Sequence, residues 1–383
     1  MPLNRHSAVI GSAIMVPVTT DRYALEEILY EVSQAALKSA GITIEQIDGI
    51  VVGSNDQIDG RAISIMAASG SVGGVDRDIL STPSAGEHAF VMGVLRVASA
   101  QYETHLVVTW GGTEAGSLSE VERLGADPYF HRRLPLDELA SFALQANVLI
   151  AAQPHAADLA SALVVKNRKR GAVAYPDVCF EVETAASIDA STPVRWPVRE
   201  GMVRPGVFGA VAMVIASEDF VEKAGIKNPA WIRGMGWATE AAFLGDRELA
   251  SAPALVEAAR QAFADAGLAG VAQVDVVEMT GATPFQELIA YEALGIAAPA
   301  DWADLIHGTP DGKPRGPSIN PSGGIAAITP VFCGGMVRIA EAANQVRGTA
   351  GAHQSAHAKT ALAHAASGIA MMYQTVVVFG RDL

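Results

Sequence analysis

The chain has 383 residues, half of them hydrophobic and 18% charged, with a formal net charge of −14. That length buries a sizeable core in one large domain or in two to three average ones. The acidic balance argues against nucleic acid as the main partner, because phosphate binding needs basic patches. Two cysteines, Cys179 and Cys333, are too few for a disulfide scaffold or a zinc site of CxxC type.

In chain order, the apolar stretch from Ala8 to Val18 is broken by Gly11, Ser12 and Pro17 and lacks a cleavage site. It reads as a first strand rather than a signal peptide. No apolar run reaches membrane-spanning length, so a cytoplasmic chain without membrane contact is expected. Leu29–Ala40 carries apolar residues at helical spacing and stops at Gly41, a usual C-terminal cap, before the strand Asp48–Gly53. A short edge strand is expected near Asp78–Pro83, centred on Ile79 and Leu80. A helix containing Leu95–Ala98 then leads to the strand Leu106–Gly111.

Residues 117–205 differ in character. Helices are expected over Leu136–Ala152 and Ala156–Lys169, followed by a loop with Pro176, Pro193, Pro197 and Pro205. Such an insertion reads as a lid or substrate-selecting element. Its run Lys166-Asn167-Arg168-Lys169-Arg170 reads first as a solvated helix face, with a local phosphate or CoA contact as the alternative. The strand Ala210–Ala216 closes the first half.

The second half then repeats the first. Leu255–Ala266 stops at Gly267 and leads to the strand Asp275–Glu278, as Leu29–Ala40 and Gly41 led to Asp48–Gly53. A helix containing Val337–Ala340 is followed, after an insertion, by the strand Thr375–Gly380, which pairs by likeness with Leu106–Gly111. Short, continuously apolar strands alternating with helices imply an α/β protein with mixed or largely parallel sheets. The expected division is 1–116 with 206–225, the inserted 117–205, and 226–383.

Several landmarks resemble the thiolase superfamily, in particular the sterol-carrier-protein-X and lipid-transfer-protein-like type. They are Ala8-Val9-Ile10-Gly11, Ala40-Gly41 to Ile47-Asp48-Gly49, Trp110-Gly111-Gly112-Thr113-Glu114, and above all Asn320-Pro321-Ser322-Gly323-Gly324 with Gln345-Val346-Arg347-Gly348. Val165-Lys166-Asn167-Arg168 matches as well. The resemblance covers nearly the whole chain. It implies a duplicated αβαβα core of two similar halves with an inserted lid, a homodimer and an acyl-CoA ligand.

The family's catalytic set is incomplete by this comparison. Where members carry a nucleophilic Cys, the loop reads Ser81-Thr82-Pro83-Ser84-Ala85-Gly86-Glu87-His88, with Ser84 or Pro83 at the matching position. A hydroxyl needs a neighbouring base that a thiolate does not. His88 is the candidate base, with helix packing as its other reading, and Glu87 reads as a favourable charge at a helix start. The Gly-His-Pro stretch reads Ile328-Thr329-Pro330, and the oxyanion segment reads Thr280-Gly281-Ala282-Thr283. His364, in what resembles the last catalytic loop, matches the sterol-carrier variant.

The catalytic candidates are therefore Ser84, His88, Thr329 and His364. Gly323, Gly324, Ser367 and Gly368 keep the capacity for close backbone approach to a thioester. Cys333 reads either as a substitute nucleophile or as a small core group. His353 and His357 have helical i, i+4 spacing without a third ligand, so no metal is assigned.

Three functions follow from the resemblance. The first is carbon–carbon bond cleavage or formation on an acyl-CoA thioester without a cysteine nucleophile, as an aldolase-like lyase or atypical acyltransferase. In this reading CoA is part of the substrate, no cofactor is permanently bound, and a small OB-fold, zinc-containing partner subunit accompanies the chain. The second is a catalytically silent CoA-binding or structural subunit. The third is a thiolase using Cys333.

Overall fold

The computed structural model describes residues 5–16, 23–60, 63–111, 118–178, 183–203, 206–309, 316–328 and 332–383. Cys179, Thr329 and the Gly112–Glu114 landmark lie outside the described residues.

Ten strands share one sheet. They are β1 (Ser7–Met15), β2 (Gly49–Gly53), β3 (Asp78–Thr82), β4 (Thr104–Gly111), β5 (Gly209–Ser217), β6 (Ala230–Thr239), β7 (Val276–Met279), β8 (Ser318–Ile319), β9 (Thr360–Ser367) and β10 (Tyr373–Gly380). The principal helices are α1 (Leu25–Ala40), α2 (Gly86–Ala98), α3 (Leu118–Gly125), α4 (Glu138–Ala152), α5 (Ala156–Ala174), α6 (Pro253–Ala266), α7 (Pro284–Ala293) and α8 (Gly334–Arg347).

The strand order is β8-β7-β9-β10-β6-β1-β5-β4-β2-β3. Read outward from the centre, each half has the same order and the same mixture of parallel and antiparallel neighbours. Thus β2 lies parallel to β3 and β4, while β4 runs antiparallel to β5. Likewise β7 lies parallel to β8 and β9, while β9 runs antiparallel to β10. The two half-sheets are joined edge to edge where Ala8 pairs with Trp231 and Val9 with Ala230.

The repeat extends to individual hydrogen bonds. At the end of α1 the Ile42 N–H donates to Leu37 O (3.2 Å) and the Gly41 N–H to Lys38 O (3.1 Å). At the end of α6 the Leu268 N–H donates to Phe263 O (2.9 Å) and the Gly267 N–H to Ala264 O (3.3 Å). Both glycines are left-handed, with φ 70° and 67°, the conformation this double closure requires and glycine adopts without a Cβ penalty.

One sequence correspondence is corrected. The segment after α8 is not an insertion but strand β9, so β4 corresponds to β9, and β10 corresponds to β5. β9 is alanine-rich (Thr-Ala-Leu-Ala-His-Ala-Ala-Ser) and lacks the β-branched run that marks the other strands.

Helices α2 and α8 lie in a core cluster bounded by both half-sheets. Val51, Val107 and Met213 come from one half, and Ala363, Ala365, Val377 and Phe379 from the other. The outer face of the first half-sheet packs on α1. The outer face of the second packs on α6, α7 and the inserted α4 and α5. This layering is the duplicated αβαβα arrangement.

Candidate active site

The chain leaves β3 at Thr82, passes the exposed Pro83 and enters α2 at Gly86. The Gly86 N–H donates to Phe332 O (3.0 Å). A Cβ at Gly86 would stand 3.0 Å from Met336 Cβ, so glycine lets α2 touch the first turn of α8. Ser84, just before the N-cap Ala85, has its Oγ 2.5 Å from Nδ1 of His88 on the first turn of α2. His88 is thus within hydrogen-bond reach of Ser84. Of the two alternatives for the nucleophile position, the polar contact belongs to Ser84.

The His88 ring meets Tyr373 edge-on, with centroids 5.5 Å apart. Tyr373 opens β10 opposite Ser367 at the end of β9. Between them, Gly368 is left-handed (φ 76°), and a Cβ there would stand 3.1 Å from Tyr373 Cδ2. Ser367 Oγ is buried and has no hydrogen-bond partner among the described residues. Ser84, His88, Ser367 and Gly368 therefore gather around one tyrosine that the sequence reading did not assign.

His364 is placed elsewhere, and the expectation of a catalytic loop histidine is corrected. It lies within β9 and is fully buried. Side chains alternate across a strand. Ala363 and Ala365 face α2 and α8, whereas Leu362 and Ala366 pack on the outer core, and His364 shares that outer side. Its Nε2 is 2.8 Å from Gln374 Oε1. Burial pushes its pKa down to about 4, against the opposing effect of Gln374, so the imidazole is neutral at neutral pH.

Cys333 is fully buried, with Sγ 3.7 Å from Gly209 O. Burial pushes the thiol up to about 12, which leaves essentially no thiolate for attack.

Gly323 and Gly324 are both left-handed, and their close neighbours are protein atoms. A Cβ at Gly323 would stand 2.6 Å from Asn167 O on α5, and one at Gly324 2.8 Å from Asn320 Nδ2. The pair seats the inserted helix on the Asn320 turn.

The basic run on α5 is also corrected, because all of it except the exposed Lys169 is tied inward rather than solvated. Arg168 pairs with Glu183, Arg170 donates to Ile319 O, and Asn167 Nδ2 donates to Glu287 Oε2 (2.7 Å). Lys166 Nζ donates to Leu305 O (2.6 Å). Burial, then repulsion from Arg170, lowers the Lys166 pKa to about 8.

His353 and His357 do not share a helix. His353 ends a 3₁₀ turn with Nε2 2.8 Å from Glu341 Oε2, and His357 is left-handed. Among the described residues, no three His, Cys, Asp or Glu side chains gather to hold a metal ion. No described helix is long and apolar enough to cross a membrane.

Residues 237–381 match the family described as Thiolase C-terminal domain-like. Over 162 residues the chain is 33% identical to Sterol carrier protein 2 of Rattus norvegicus, covering 41% of this chain and 29% of that protein. The match thus spans less than a third of that relative's length. The fold superposes on the Ltp2-ChsH2(DUF35) aldolase with a TM-score of 0.80 at 19% identity, covering 99% of both chains. It superposes on human mitochondrial 3-ketoacyl-CoA thiolase with a TM-score of 0.75 at 18% identity, covering 100% of both chains. Family model, curated relative and fold all point the same way: the C-terminal part of the chain is thiolase-like and similar to sterol carrier protein 2, and the whole chain has the thiolase fold.

Proposed function

We propose that the chain makes or breaks a carbon–carbon bond on an acyl-CoA thioester by aldol chemistry, without a cysteine-bound acyl intermediate. The carrying observation is the contact between Ser84 Oγ and His88 Nδ1 at the head of α2. An imidazole so placed serves as a general base, and Ser84 orients it. In the cleavage direction, His88 takes the proton of a β-hydroxyl. The Cα–Cβ bond breaks with its electron pair passing to Cα, and the thioester enolate is stabilised by hydrogen-bond donors. Protonation at Cα completes a CoA thioester and a ketone or aldehyde. The buried, weakly acidic Cys333 supports a route with no thiolate.

The inserted residues 117–205 act as the substrate-selecting element between the halves. A homodimer and a small OB-fold, zinc-containing subunit belong to the same proposal. The second subunit is supported by the two-component name of the Ltp2-ChsH2(DUF35) aldolase. The test is incubation of the chain, alone and with such a subunit, with β-hydroxyacyl-CoA thioesters. Release of a carbonyl product with a shortened acyl-CoA is expected, whereas acetoacetyl-CoA thiolysis should be very slow. Thiolysis at about 10 per second, an ordinary enzyme rate, would overturn the proposal.

The Ser84–His88 contact also favours a second reading, acyl transfer through Ser84. Mass-spectrometric trapping of an acyl group on Ser84 would select it. Absence of turnover and of acyl-CoA binding under every condition would leave the structural-subunit reading.

A further inference from the structure

Carboxyl groups that the aldol chemistry above leaves unused lie at the link between β9 and β10, which reaches His88 through Tyr373. Helix α4 docks its first turn on the link between β9 and β10. Ser141 Oγ accepts the Ala370 N–H (2.8 Å), and the half-buried Glu138 carboxyl accepts the Gly368 N–H. Gly368 lies against Tyr373, whose ring meets His88. From α3, Glu122 Oε2 accepts the Glu138 N–H (3.0 Å). From the first turn of α2 comes Glu87, 1% exposed, with Oε1 unpartnered. Ser367 Oγ, at the same link, is a second buried and unpartnered polar atom.

Two nearby cations are committed elsewhere. Arg195 pairs with Asp137 at 3.2 Å, and Arg247 donates to Ile369 O and Ala370 O (3.0 and 2.6 Å). No ion pair reaches Glu87, Glu122 or Glu138 among the described residues. Burial raises the pKa of both Glu122 and Glu138, and neighbouring carboxyls without a counter-cation favour the protonated form.

We propose, resting on the acyl-CoA reading above, that Glu138 is a second proton-transfer residue of this site, giving its proton to the substrate carbon after His88 has taken one from the β-hydroxyl. The electron pair released from Cα–Cβ ends in the new C–H bond, the substrate hydroxyl becomes a carbonyl, and solvent returns the proton from His88 to Glu138. Burial first, then Glu122 and Glu87, push the Glu138 pKa up to about 8. The carboxyl therefore carries the proton it must donate. Perturbed groups of this kind gather at reacting sites.

The test is calorimetric titration with acetyl-CoA, the product-like thioester, in buffers of differing ionisation enthalpy, over about pH 6 to 9 around the shifted carboxyl. The wild type, Glu138→Gln and Glu122→Gln are compared, with thermal melts confirming the fold. Proton exchange centred near the shifted pKa is expected in the wild type and should be absent from Glu138→Gln. In Glu122→Gln it should move to lower pH, because a repelling charge is gone. Turnover of a β-hydroxyacyl-CoA should fall about 10²-fold or more in Glu138→Gln, with acetyl-CoA affinity little changed. Binding with unchanged proton exchange in Glu138→Gln, or unchanged turnover, overturns this assignment and leaves the aldol reading standing. Failure of acetyl-CoA to bind any form overturns both.

Discussion

The Glu87 carboxylate occupies the space in which a side chain at Gly335 would stand. A Cβ on Gly335 would fall inside contact distance of Glu87 Oε2 and 2.8 Å from Ala365 Cβ. The two central helices thus meet through a buried acid on one and a missing side chain on the other. Gly335→Ala is expected to cost about 1–3 kcal/mol by overpacking, read as a lowered urea midpoint with an unchanged slope. A wild-type midpoint would show that Glu87 turns aside freely.

Ser84 and His88 act as one unit in the proposed chemistry. Ser84→Ala and His88→Ala should each lower turnover, with His88→Ala losing about 10²–10⁴-fold. The double variant should be no slower than the worse single one, because the members of a catalytic unit are not additive. Multiplicative losses would mean that the 2.5 Å contact is incidental.

Acid sensitivity is expected from two buried histidines. The pKa of His364 is lowered to about 4 by burial. That of His105 is lowered to about 4 by burial and then by Arg96. Each folded value lies below the unfolded value of about 6.5, so the unfolded chain binds more protons in between. Stability should fall as pH drops from about 6.5 to about 4, by up to about 3 kcal/mol per site, and level off below. His364→Gln should flatten part of that slope in urea titrations while keeping turnover within a few-fold. An unchanged slope, or a large loss of turnover, would contradict this placement of His364.

Cys333 should resist modification. In a Cys179→Ser background it is the sole thiol. A disulfide reagent should then label it only as the protein unfolds, because the thiol is buried and its pKa is raised. Rapid labelling of folded protein, blocked by acetyl-CoA, would restore the thiolase reading.

Much of the fold was legible because local chemistry repeats. Leu29–Gly41 and Leu255–Gly267 announce two helices and their glycine caps, and each is built as read. β9 was not legible, because its alanines carry no period-2 contrast and its central polar residue, His364, is buried against Gln374 on the next strand. Within the site, His88 lies close to Ser84 in sequence, on the helix that the Ser84 loop leads into. Tyr373, Glu138 and Gly335 reach it through sheet pairing and helix docking across the molecule, and no local pattern encodes those contacts.

A homodimer through β3 is expected. β3 pairs with β2 on one side and ends the sheet on the other, and Ile79 and Leu80 are only half-buried there. Sedimentation at micromolar concentration should give a dimer, and Leu80→Glu should shift it toward monomer by setting like charges across the pairing. A wild-type monomer would refute the expectation.

The far end of the sheet limits what such pairing can build. There the terminal strand, β8, has two residues, Ser318 and Ile319, against five in β3. Fibre growth by edge addition needs two adhesive ends per molecule. Once two copies are joined through β3 about a two-fold axis, each presents to its surroundings only the β8 margin, too short among the described residues to template a third strand set. In such a dimer the stub at Ser318–Ile319 would act as a chain terminator, keeping pairwise assembly self-limiting where a longer strand would invite polymer.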